Sequence, residues 1–502
     1  MVDTILCLAI SLLFMFLAQR FHRTRTMRKN LPPSPPGLPV IGHLHLQKPP
    51  MYRTYYNLAK KYGPIFSLRF GSRKVVVVSS VSAIEECFTK NDIVLANRPR
   101  LFSGKYLGYN YSSMDQSPFG EHWRNMRRIS KSEFLSTPRL NTLVSVRKEE
   151  VKQIITKLSR DSFQDFVKVE LRTIFQDLSF NIMTRMITGK RYSEDDDADE
   201  AIIEEGKQFK SLMVELGAAY DPSNPGDFFP IWNWIDCGRF ERKVKDLAIR
   251  MDKFTQDLVD ERRRNLNDES MDTLVNNLLR LQSSKSEYFT DEIIKGFIFN
   301  MMFAGTEVSA VAIEWTMACL LKHPEVLNKV KDEIDTQIGK ETLVDELDVS
   351  KLPYLHNVIE ETLRLRPPTP IVDPHMASED CTVGGYTVPR GTVLLASVWA
   401  LHRDPTLWDD PETFKPERFD SIGEEINRIF IPFGIGRRSC PAINLSYRIL
   451  GLSVAALVQC FDWKKVPGDE IDMTPGGRIT MRKHIPLEAM CKARPIVKKI
   501  IS

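Results

Sequence analysis

The chain has 502 residues, 42% of them hydrophobic, a length that corresponds to roughly three average domains. Its 69 basic and 65 acidic residues leave a formal net charge of +4, which is too small to suggest a nucleic-acid partner. The 8 cysteines include no CxxC pair, which argues against a zinc ribbon, a thioredoxin-type motif and a disulfide-rich scaffold. We expect most of these thiols to be buried and reduced.

The chain begins with an apolar run from Val2 to Ala18 in which Asp3 is the single charged residue. As a helix this run would span roughly 26 Å, close to the hydrocarbon thickness of a bilayer. A cluster of Lys and Arg residues follows at 20–29, an order that holds the downstream chain in the cytosol and differs from that of a cleaved signal peptide. We predict an uncleaved membrane anchor over residues 1–20. The alternative is a signal peptide that is removed.

A basic and proline-rich segment over residues 21–40 comes next. Its proline density excludes a helix and favours a stiff, extended hinge. Beyond it, long helical patterns alternate with short strand-like runs such as KVVVVS at 74–79. We therefore predict one globular domain over residues 41–502 that is mainly α with small β-sheets. The polar stretch at 265–286 is predicted to lie on the surface between helices.

The segment from Thr290 to Leu321 is the most apolar long helical pattern in the chain. Thr290 is a suitable N-cap, and the nearly continuous apolar character predicts a helix that runs through the interior. Its middle reads AGTE at 304–307, where an Ala-Gly pair lets a ligand or a backbone approach closely beside a carboxylate. On these residues alone, an ordinary packed helix with a hydrogen-bonded glutamate is the competing interpretation.

Two charges on a later helix, Glu361 and Arg364, are three residues apart and so share one helix face. Arg418, in the downstream PERF motif, is a candidate third member of the same ion cluster. An exposed pair of this kind contributes only about 0–1 kcal/mol. In the interior, breaking the cluster would cost roughly 3–5 kcal/mol. Without other motifs, the pattern favours an exposed pair.

The stretch FGIGRRSCPA places a single cysteine after two arginines and a Gly-x-Gly turn. Gly434 and Gly436 allow the loop to turn back and direct backbone N–H groups at the sulfur. Pro441 suits a first helical turn, so we expect Cys440 to lie at a helix N-terminus, where the dipole lowers the pKa of the thiol. Such a thiolate is a nucleophile, a redox sensor or a metal ligand. A lone thiolate suits an iron whose other positions are filled by a macrocycle.

Taken together, these motifs resemble those of the cytochromes P-450. FGIGRRSC is similar to their haem-binding loop, AGTE to the centre of the helix that crosses the haem, EETLR to their Glu-x-x-Arg helix, and PERF to the segment before the haem loop. WRNMR at 123–127 resembles their Trp-x-x-x-Arg helix. LPPSPPGLPVIGHL, HRDP and FKPERF resemble plant microsomal members, in the branch that hydroxylates isoflavones and closes methylenedioxy bridges in lignans. The resemblance covers essentially the whole chain.

The resemblance implies the cytochrome P-450 fold and haem b as the cofactor. Cys440 would be the axial thiolate ligand of the haem iron. The haem propionates would be bound by four donors, namely Trp123, Arg127, His375 and Arg438. Alternatively, His375 is a structural histidine and Arg437 replaces Arg438. The residues of the ion cluster would be buried behind the haem, namely Glu361, Arg364 and Arg418.

The resemblance also implies a monooxygenase on the endoplasmic reticulum membrane that receives NADPH electrons through NADPH-cytochrome P-450 reductase. Relatives usually follow the acid of the central helix with a threonine whose hydroxyl helps to deliver protons, but here Val308 takes that place. We expect Glu307 with water, Ser309 or a substrate hydroxyl to substitute. The departure points towards ortho-methoxyphenol substrates and bridge formation, yet it also permits a hydroxylase. Ala442 replaces a common glycine, at little cost if its backbone angles are helical.

By the same resemblance, a small hydrophobic substrate would be bound by a pocket that includes Ala304, Val308, Ile371 and Ile479. Two other functions stay open. One is a reductase-independent haem-thiolate isomerase or dehydratase, which the missing threonine would allow. The other is a non-enzymatic haem-based binder. Turnover that requires NADPH and the reductase separates the three.

Overall fold

The computed structural model describes residues 30–192, 199–220, 225–229, 236, 238–265, 272–420, 423, 426–477 and 480–501. The predicted anchor over residues 1–20 lies outside the described residues, and so do the first part of the predicted hinge and Ile479. The remainder of the hinge contains no helix or strand from Leu31 to Gly37, in keeping with its proline density.

Helices make up most of the described chain. In its N-terminal half they are α1 (Met51–Tyr62), α2 (Val81–Phe88), α3 (Asp92–Leu95), α4 (Phe102–Tyr106), α5 (Glu121–Ser130), α6 (Thr137–Thr142), α7 (Val144–Ser159), α8 (Leu171–Thr188), α9 (Glu200–Ala219) and α10 (Arg239–Arg264). In its C-terminal half they are α11 (Leu274–Ser284), α12 (Asp291–Lys322), α13 (Pro324–Gln337), α14 (Pro353–Leu365), α15 (Val398–Leu401), α16 (Ile426–Ile429), α17 (Ile443–Cys460) and α18 (Ile496–Ile501).

The described strands are short and form three sheets. They are β1 (Ile65–Phe70), β2 (Arg73–Val78), β3 (Val167–Glu170), β4 (His375–Met376), β5 (Cys381–Val383), β6 (Tyr386–Val388), β7 (Val393–Ala396), β8 (Phe461–Lys464) and β9 (Glu488–Ala493). The largest sheet has the order β1-β2-β7-β4, in which β2 and β7 are parallel and the other neighbours antiparallel. The second has the order β3-β9-β8, and β5 pairs with β6. The prediction of a mainly α fold with small β-sheets is confirmed, and the predicted strand KVVVVS lies in β2.

The core is built around α12, which runs through the interior as its apolar pattern predicts. Thr290 caps this helix, since its side chain accepts a hydrogen bond from the N–H of Ile293. The helix packs against α8 and α17. Both α12 and α17 are long and apolar enough to cross a membrane, but 67% and 72% of their most apolar windows are buried inside the described part of the protein. They are core helices of the domain.

The polar stretch at 265–286 is predicted to connect helices on the surface, but the structure buries part of it. From Leu274 onward it forms α11, whose side chains Asn276 and Asn277 are 1% and 4% exposed. Thr273 caps this helix by accepting a hydrogen bond from the N–H of Asn276. The prediction is wrong because α11 packs against α8 and α12, and this tertiary contact buries residues whose local composition is polar.

Glu361 on α14 is fully buried and binds two arginines. Its carboxylate accepts hydrogen bonds from Arg364, with Nε 2.6 Å from Oε2 and Nη2 2.9 Å from Oε1, and Arg418 Nε lies 3.0 Å from Oε1. Arg364 also donates to the backbone carbonyls of His402 and Pro411. The structure therefore brings the three residues of the predicted cluster together in the interior, where the Glu361 and Arg364 side chains are 0% exposed.

Replacing the central carboxylate tests how strongly the fold depends on this cluster. Glu361→Gln leaves two arginines without their buried counter-charge, and we expect it to lower the free energy of unfolding by about 3–5 kcal/mol. Denaturant unfolding of the purified protein measures the change. The matched control is Glu215→Gln at the exposed Glu215–Arg250 pair, which should cost about 0–1 kcal/mol. Equal losses in the two variants would contradict the prediction.

Candidate active site

The cysteine loop, residues 433–442, turns back on itself in front of α17. Gly434 and Gly436 have φ angles of +72° and +75°, which glycine adopts without strain. A Cβ on Gly436 would lie 2.9 Å from Asp92 Oδ1, so α3 packs directly against the loop. The Cys440 N–H donates to the carbonyl of Phe433 at 2.8 Å, and the Ala442 N–H lies 3.4 Å from Cys440 Sγ. A backbone N–H therefore reaches the sulfur, as the glycine pattern predicts.

The predicted lowering of the thiol pKa is wrong in direction. Burial raises the pKa of Cys440, while the Ala442 N–H and the Arg127 guanidinium oppose this shift. Cys440 lies three residues before Ile443, where α17 begins, and desolvation outweighs the favourable contacts. Ala442 has φ −101° and ψ 21°, angles that are not helical but are open to any L-residue, so alanine fits there without strain.

The burial of α12 is interrupted at residues 303–308, hereafter the notch. Met301 and Met302 before it are buried, and Ser309 and Ala310 after it are buried, whereas Ala304 is exposed. An exposed alanine at the middle of a core helix marks an internal space beside that helix. Ala304 and the half-buried Val308, one helical turn apart, lie on the side of this space, whereas Gly305 packs against Met183 of α8.

The hydroxyl groups around the notch donate to their own helix. Ser309 Oγ lies 2.9 Å from the carbonyl oxygen of Gly305, and Thr306 Oγ1 lies 2.7 Å from that of Met302. Val308 has no hydroxyl. Because the protons of Ser309 and Thr306 are committed to backbone carbonyls, Glu307 is the group at the notch that is best placed to exchange protons.

Glu307 is largely shielded from water and lies near the cation Arg482. Burial raises its pKa, and Arg482 and Thr480 oppose the shift. Its side chain lines a cavity of about 10 Å³, room for about one water molecule, together with other polar residues. These are Arg172, Gln176, Glu314 and Arg482. A carboxyl group with a raised pKa beside a water-sized cavity suits proton exchange.

On α5, Trp123 and Arg127 present donors that the described residues leave unused. Trp123 is 5% exposed, and neither its indole N–H nor the Arg127 guanidinium forms a hydrogen bond within the described ranges. Burial lowers the pKa of Arg127, and the nearby Cys440 sulfur opposes that shift. Unpaired N–H donors of this kind are suited to bind an anionic ligand.

The remaining predicted propionate residues lie nearby but have protein partners. Arg438 donates to the backbone carbonyls of Ala96, Met114 and Ser117, and its guanidinium lies 4.9 Å from the Trp123 ring centre. Burial and the Arg98 charge lower the pKa of Arg438 to about 9.

His375 Nδ1 lies 2.8 Å from the Leu95 carbonyl oxygen, and burial with Arg98 holds its pKa well below its usual value. This histidine is therefore neutral and donates from Nδ1, which leaves Nε2 as an acceptor. The alternative residue, Arg437, forms an ion pair of 2.9 Å with Asp92. This ion pair holds the Arg437 guanidinium against α3, on one side of the cysteine loop.

Arg98 is a member of this group that the motifs did not reveal. Its side chain is 10% exposed and donates to the backbone carbonyls of Asp115, Asp373 and Pro374 at 2.8–3.0 Å. An arginine in a loop has no local pattern that marks it, since its partners come from distant parts of the chain. Arg98 and Arg127 both lie close enough to Arg438 to influence its charge, and Arg127 also lies near the Cys440 sulfur.

The predicted pocket residues are divided between two places. Ala304 and Val308 lie together at the notch. Ile371 is partly buried and packs against a small cluster formed by Tyr52, Trp399 and Met481. The substrate pocket stays a prediction, and Ile479 lies outside the described residues.

A model of the cytochrome P-450 family matches residues 32–488. The chain belongs to the cytochromes P-450. An isoflavone 3′-hydroxylase of Medicago truncatula is 50% identical over 475 residues, 94% of each chain. An isoflavone 2′-hydroxylase of Glycyrrhiza echinata is 48% identical over 472 residues, again 94% of each. A zebra fish cytochrome P-450 solved with abiraterone has a TM-score of 0.74 at 25% identity, covering 89% of this chain and 99% of that one.

Membership of the cytochromes P-450 confirms the predicted fold and the predicted enzyme class. The protein is a haem-thiolate monooxygenase that works with a redox partner on small hydrophobic substrates. The likenesses give no support to an isomerase or to a non-enzymatic haem binder.

The site of this cytochrome P-450 fits a haem on its own geometry. The buried Cys440 thiol supplies an iron ligand, the notch supplies space beside α12, and the unpaired donors of Trp123 and Arg127 suit two carboxylates. When bound, the haem supplies dioxygen activation, and the thiolate ligand favours cleavage of the O–O bond.

Removing the unpaired arginine should weaken cofactor retention by this cytochrome P-450. Arg127→Ala deletes a charge-assisted donor, so we expect the haem-to-protein ratio to fall by roughly half or more. The pyridine haemochromogen assay on purified protein measures this ratio. Arg124→Ala, at an exposed position of the same helix, is the control and should keep the wild-type ratio. A full haem complement in Arg127→Ala would refute the assignment.

The raised pKa of Glu307 predicts a pH-dependent gain in stability on its replacement. A carboxyl whose folded pKa lies above its unfolded value stabilises the fold at low pH, and this contribution is lost as the pH rises through the folded pKa. Glu307→Gln imitates the protonated form, so thermal unfolding should occur at a higher temperature than in the wild type at neutral pH.

The difference should shrink as the pH falls towards the ordinary carboxyl range of about 4.3. Glu292→Gln, exposed in the first turn of the same helix, should give no gain. A Glu307→Gln protein that is no more stable than the wild type at neutral pH would show that burial does not penalise this carboxylate.

Proposed function

We propose that this protein is a plant microsomal monooxygenase that oxidises a phenolic specialised metabolite of the isoflavonoid, flavonoid, lignan or alkaloid type. The observation that carries the proposal is the near-full-length likeness to two isoflavone hydroxylases, at 48–50% identity, in a chain whose site has the geometry described above. Hydroxylation is the leading reaction. Closure of a methylenedioxy bridge is the second candidate, favoured by Val308 at the position where relatives usually have threonine.

In this proposal the Cys440 sulfur would hold the haem iron. Trp123 and Arg127 would bind propionate with donors that have no hydrogen-bond partner among the described residues, and Arg98 and Arg438 would add positive charge around them. A neutral His375 donates from Nδ1 to the Leu95 carbonyl, which holds β4 against α3. Glu307 exchanges protons with solvent through the cavity that it shares with Arg482. Ser309 stays bonded to Gly305 and plays a structural part.

Residues 1–20 anchor the protein in the endoplasmic reticulum membrane, residues 21–40 form the hinge, and residues 41–502 form the cytosolic catalytic domain. Electrons come from NADPH through NADPH-cytochrome P-450 reductase. The exposed cations Arg124, Arg128 and Lys131 lie at α5, the helix that carries Trp123 and Arg127, and they offer a basic surface to an acidic electron donor.

Product mass tests this function. The full-length protein is expressed with a plant NADPH-cytochrome P-450 reductase and given isoflavones, lignans and alkaloids. A gain of one oxygen identifies hydroxylation, and a loss of two hydrogens identifies ring closure. Substrate consumption should require both NADPH and the reductase. Consumption without the reductase would favour an isomerase, and no consumption of any compound would contradict the monooxygenase proposal.

Restoring the missing hydroxyl tests whether Val308 shapes the chemistry. Val308→Thr should change the product distribution or the amount of product formed per NADPH, because it adds a proton donor at the notch. Val454→Thr, a buried position on α17, controls for the cost of a hydroxyl in a core helix. If Val308→Thr matches the wild type in product distribution and coupling, the missing hydroxyl has no bearing on the reaction.

A further inference from the structure

Tyr220 directly follows α9 and carries a phenol that the fold itself does not use. Its Oη is buried and forms no hydrogen bond with any described residue. Leaving such a group unpaired is unfavourable, because it has lost its hydrogen bonds to water without gaining others. Burial raises the pKa of Tyr220 well above its usual value, so the hydroxyl keeps its proton and is available as a donor.

The Tyr220 ring lies on the same wall as the notch. It stacks on Phe303 with ring centres 5.1 Å apart and planes at 28°, and on Phe299 at 6.4 Å and 27°. Phe303 immediately precedes the exposed Ala304 on α12. The phenol therefore stands at the edge of an aromatic surface that borders the internal space.

Asp115, in the loop between α4 and α5, is the acidic neighbour of this phenol. After burial, its carboxylate is the largest influence that raises the pKa of Tyr220. Oδ1 accepts a hydrogen bond from Ser113 Oγ at 2.7 Å, and Oδ2 accepts one from Gln116 Nε2 at 2.9 Å. A carboxylate has about four acceptor positions, so about two of those on Asp115 are not used by these bonds.

The charge around Asp115 selects what it can bind. Arg98 and Arg438 both feel the Asp115 charge, and they lie on the side of the thiol. Since these cations already balance the carboxylate, a further cation such as a substrate ammonium gains little. A neutral hydroxyl, which can donate one hydrogen bond and accept another, matches a carboxylate acceptor paired with a phenol donor.

We propose that Asp115 and Tyr220 form a polar anchor that binds a phenolic hydroxyl of the substrate, with the substrate O–H donating to Asp115 and its oxygen accepting from Tyr220 Oη. The proposal deepens the proposed function, on which it rests, by naming the residues that select phenols over their ethers. Phe303 then offers an apolar face to the substrate ring. A methyl ether has no proton to donate and leaves the remaining acceptor positions of Asp115 unused, so the site should bind it less tightly.

Binding of phenol and methyl-ether pairs tests the anchor. Equilibrium dialysis with the full-length holoprotein in lipid nanodiscs gives Kd for a dihydroxyisoflavone and its dimethyl ether, and for a phenolic lignan and its methyl ether. The wild type should bind at least one phenol about tenfold more tightly than its ether, the scale of one hydrogen bond to a charged group. Tyr220→Phe and Asp115→Asn should each remove most of this preference by weakening phenol binding, with ether binding little changed.

The control is Tyr192→Phe, a buried phenol that already has a partner in Glu205, and it should keep the preference. Retention of the preference in both Tyr220→Phe and Asp115→Asn would overturn the proposal, as would a wild type that prefers no phenol over its ether. Dialysis measures binding without turnover, so the two proposals can fail independently. If the wild type binds the phenol more tightly than the ether but oxidises neither, the monooxygenase proposal fails and the anchor stands. The reduced carbon monoxide spectrum verifies that each variant is folded around haem.

Discussion

The ion cluster centred on Glu361 is the interaction on which the arrangement of the catalytic half depends. A fully buried arginine, Arg364, and a nearly buried one, Arg418, converge on one carboxylate, and Arg364 extends the contact to carbonyls of the loop that precedes the cysteine loop. Burying such charges is costly unless every group is satisfied. The satisfied geometry therefore fixes the path of the chain between α14 and α17 far more tightly than an apolar contact of equal size would.

Around the cysteine loop, arginines outnumber the carboxylates that lie near them in the described part of the chain. Arg98 and Arg438 feel the charges of Asp115 and Asp373, whereas Arg127 lies near the Cys440 sulfur. A cofactor that carries carboxylates would be attracted to these three cations. Burial, aided by the Arg98 charge, holds His375 neutral, and the charges of Arg98 and Arg438 also reach Asp115, the residue proposed to bind a phenol.

Features with a local cause could be predicted from the sequence. The Thr290 cap and the apolar run of α12 are encoded within a few residues, and the resemblance located Glu361 with its arginines. The predictions fail where contacts between distant parts of the chain determine the structure. The pKa of Cys440 depends on burial by the whole fold, which outweighs the nearby helix. Arg98 and α11 have their partners far along the chain, and the pairing of Asp115 with Tyr220 joins a loop to the end of a helix.

The loop that carries Cys440 is held by contacts of very long sequence separation. The Arg437 N–H reaches Asp92 across 345 residues, and Arg438 Nη2 reaches Ser117 across 321. Contacts of this kind form late, because the closure entropy of a long loop must be met before they stabilise anything. On the ribosome, where a chain folds from its N-terminus as it emerges, the thiol is therefore among the last parts to be set in place. Haem should therefore bind only to chains whose first quarter has already folded correctly.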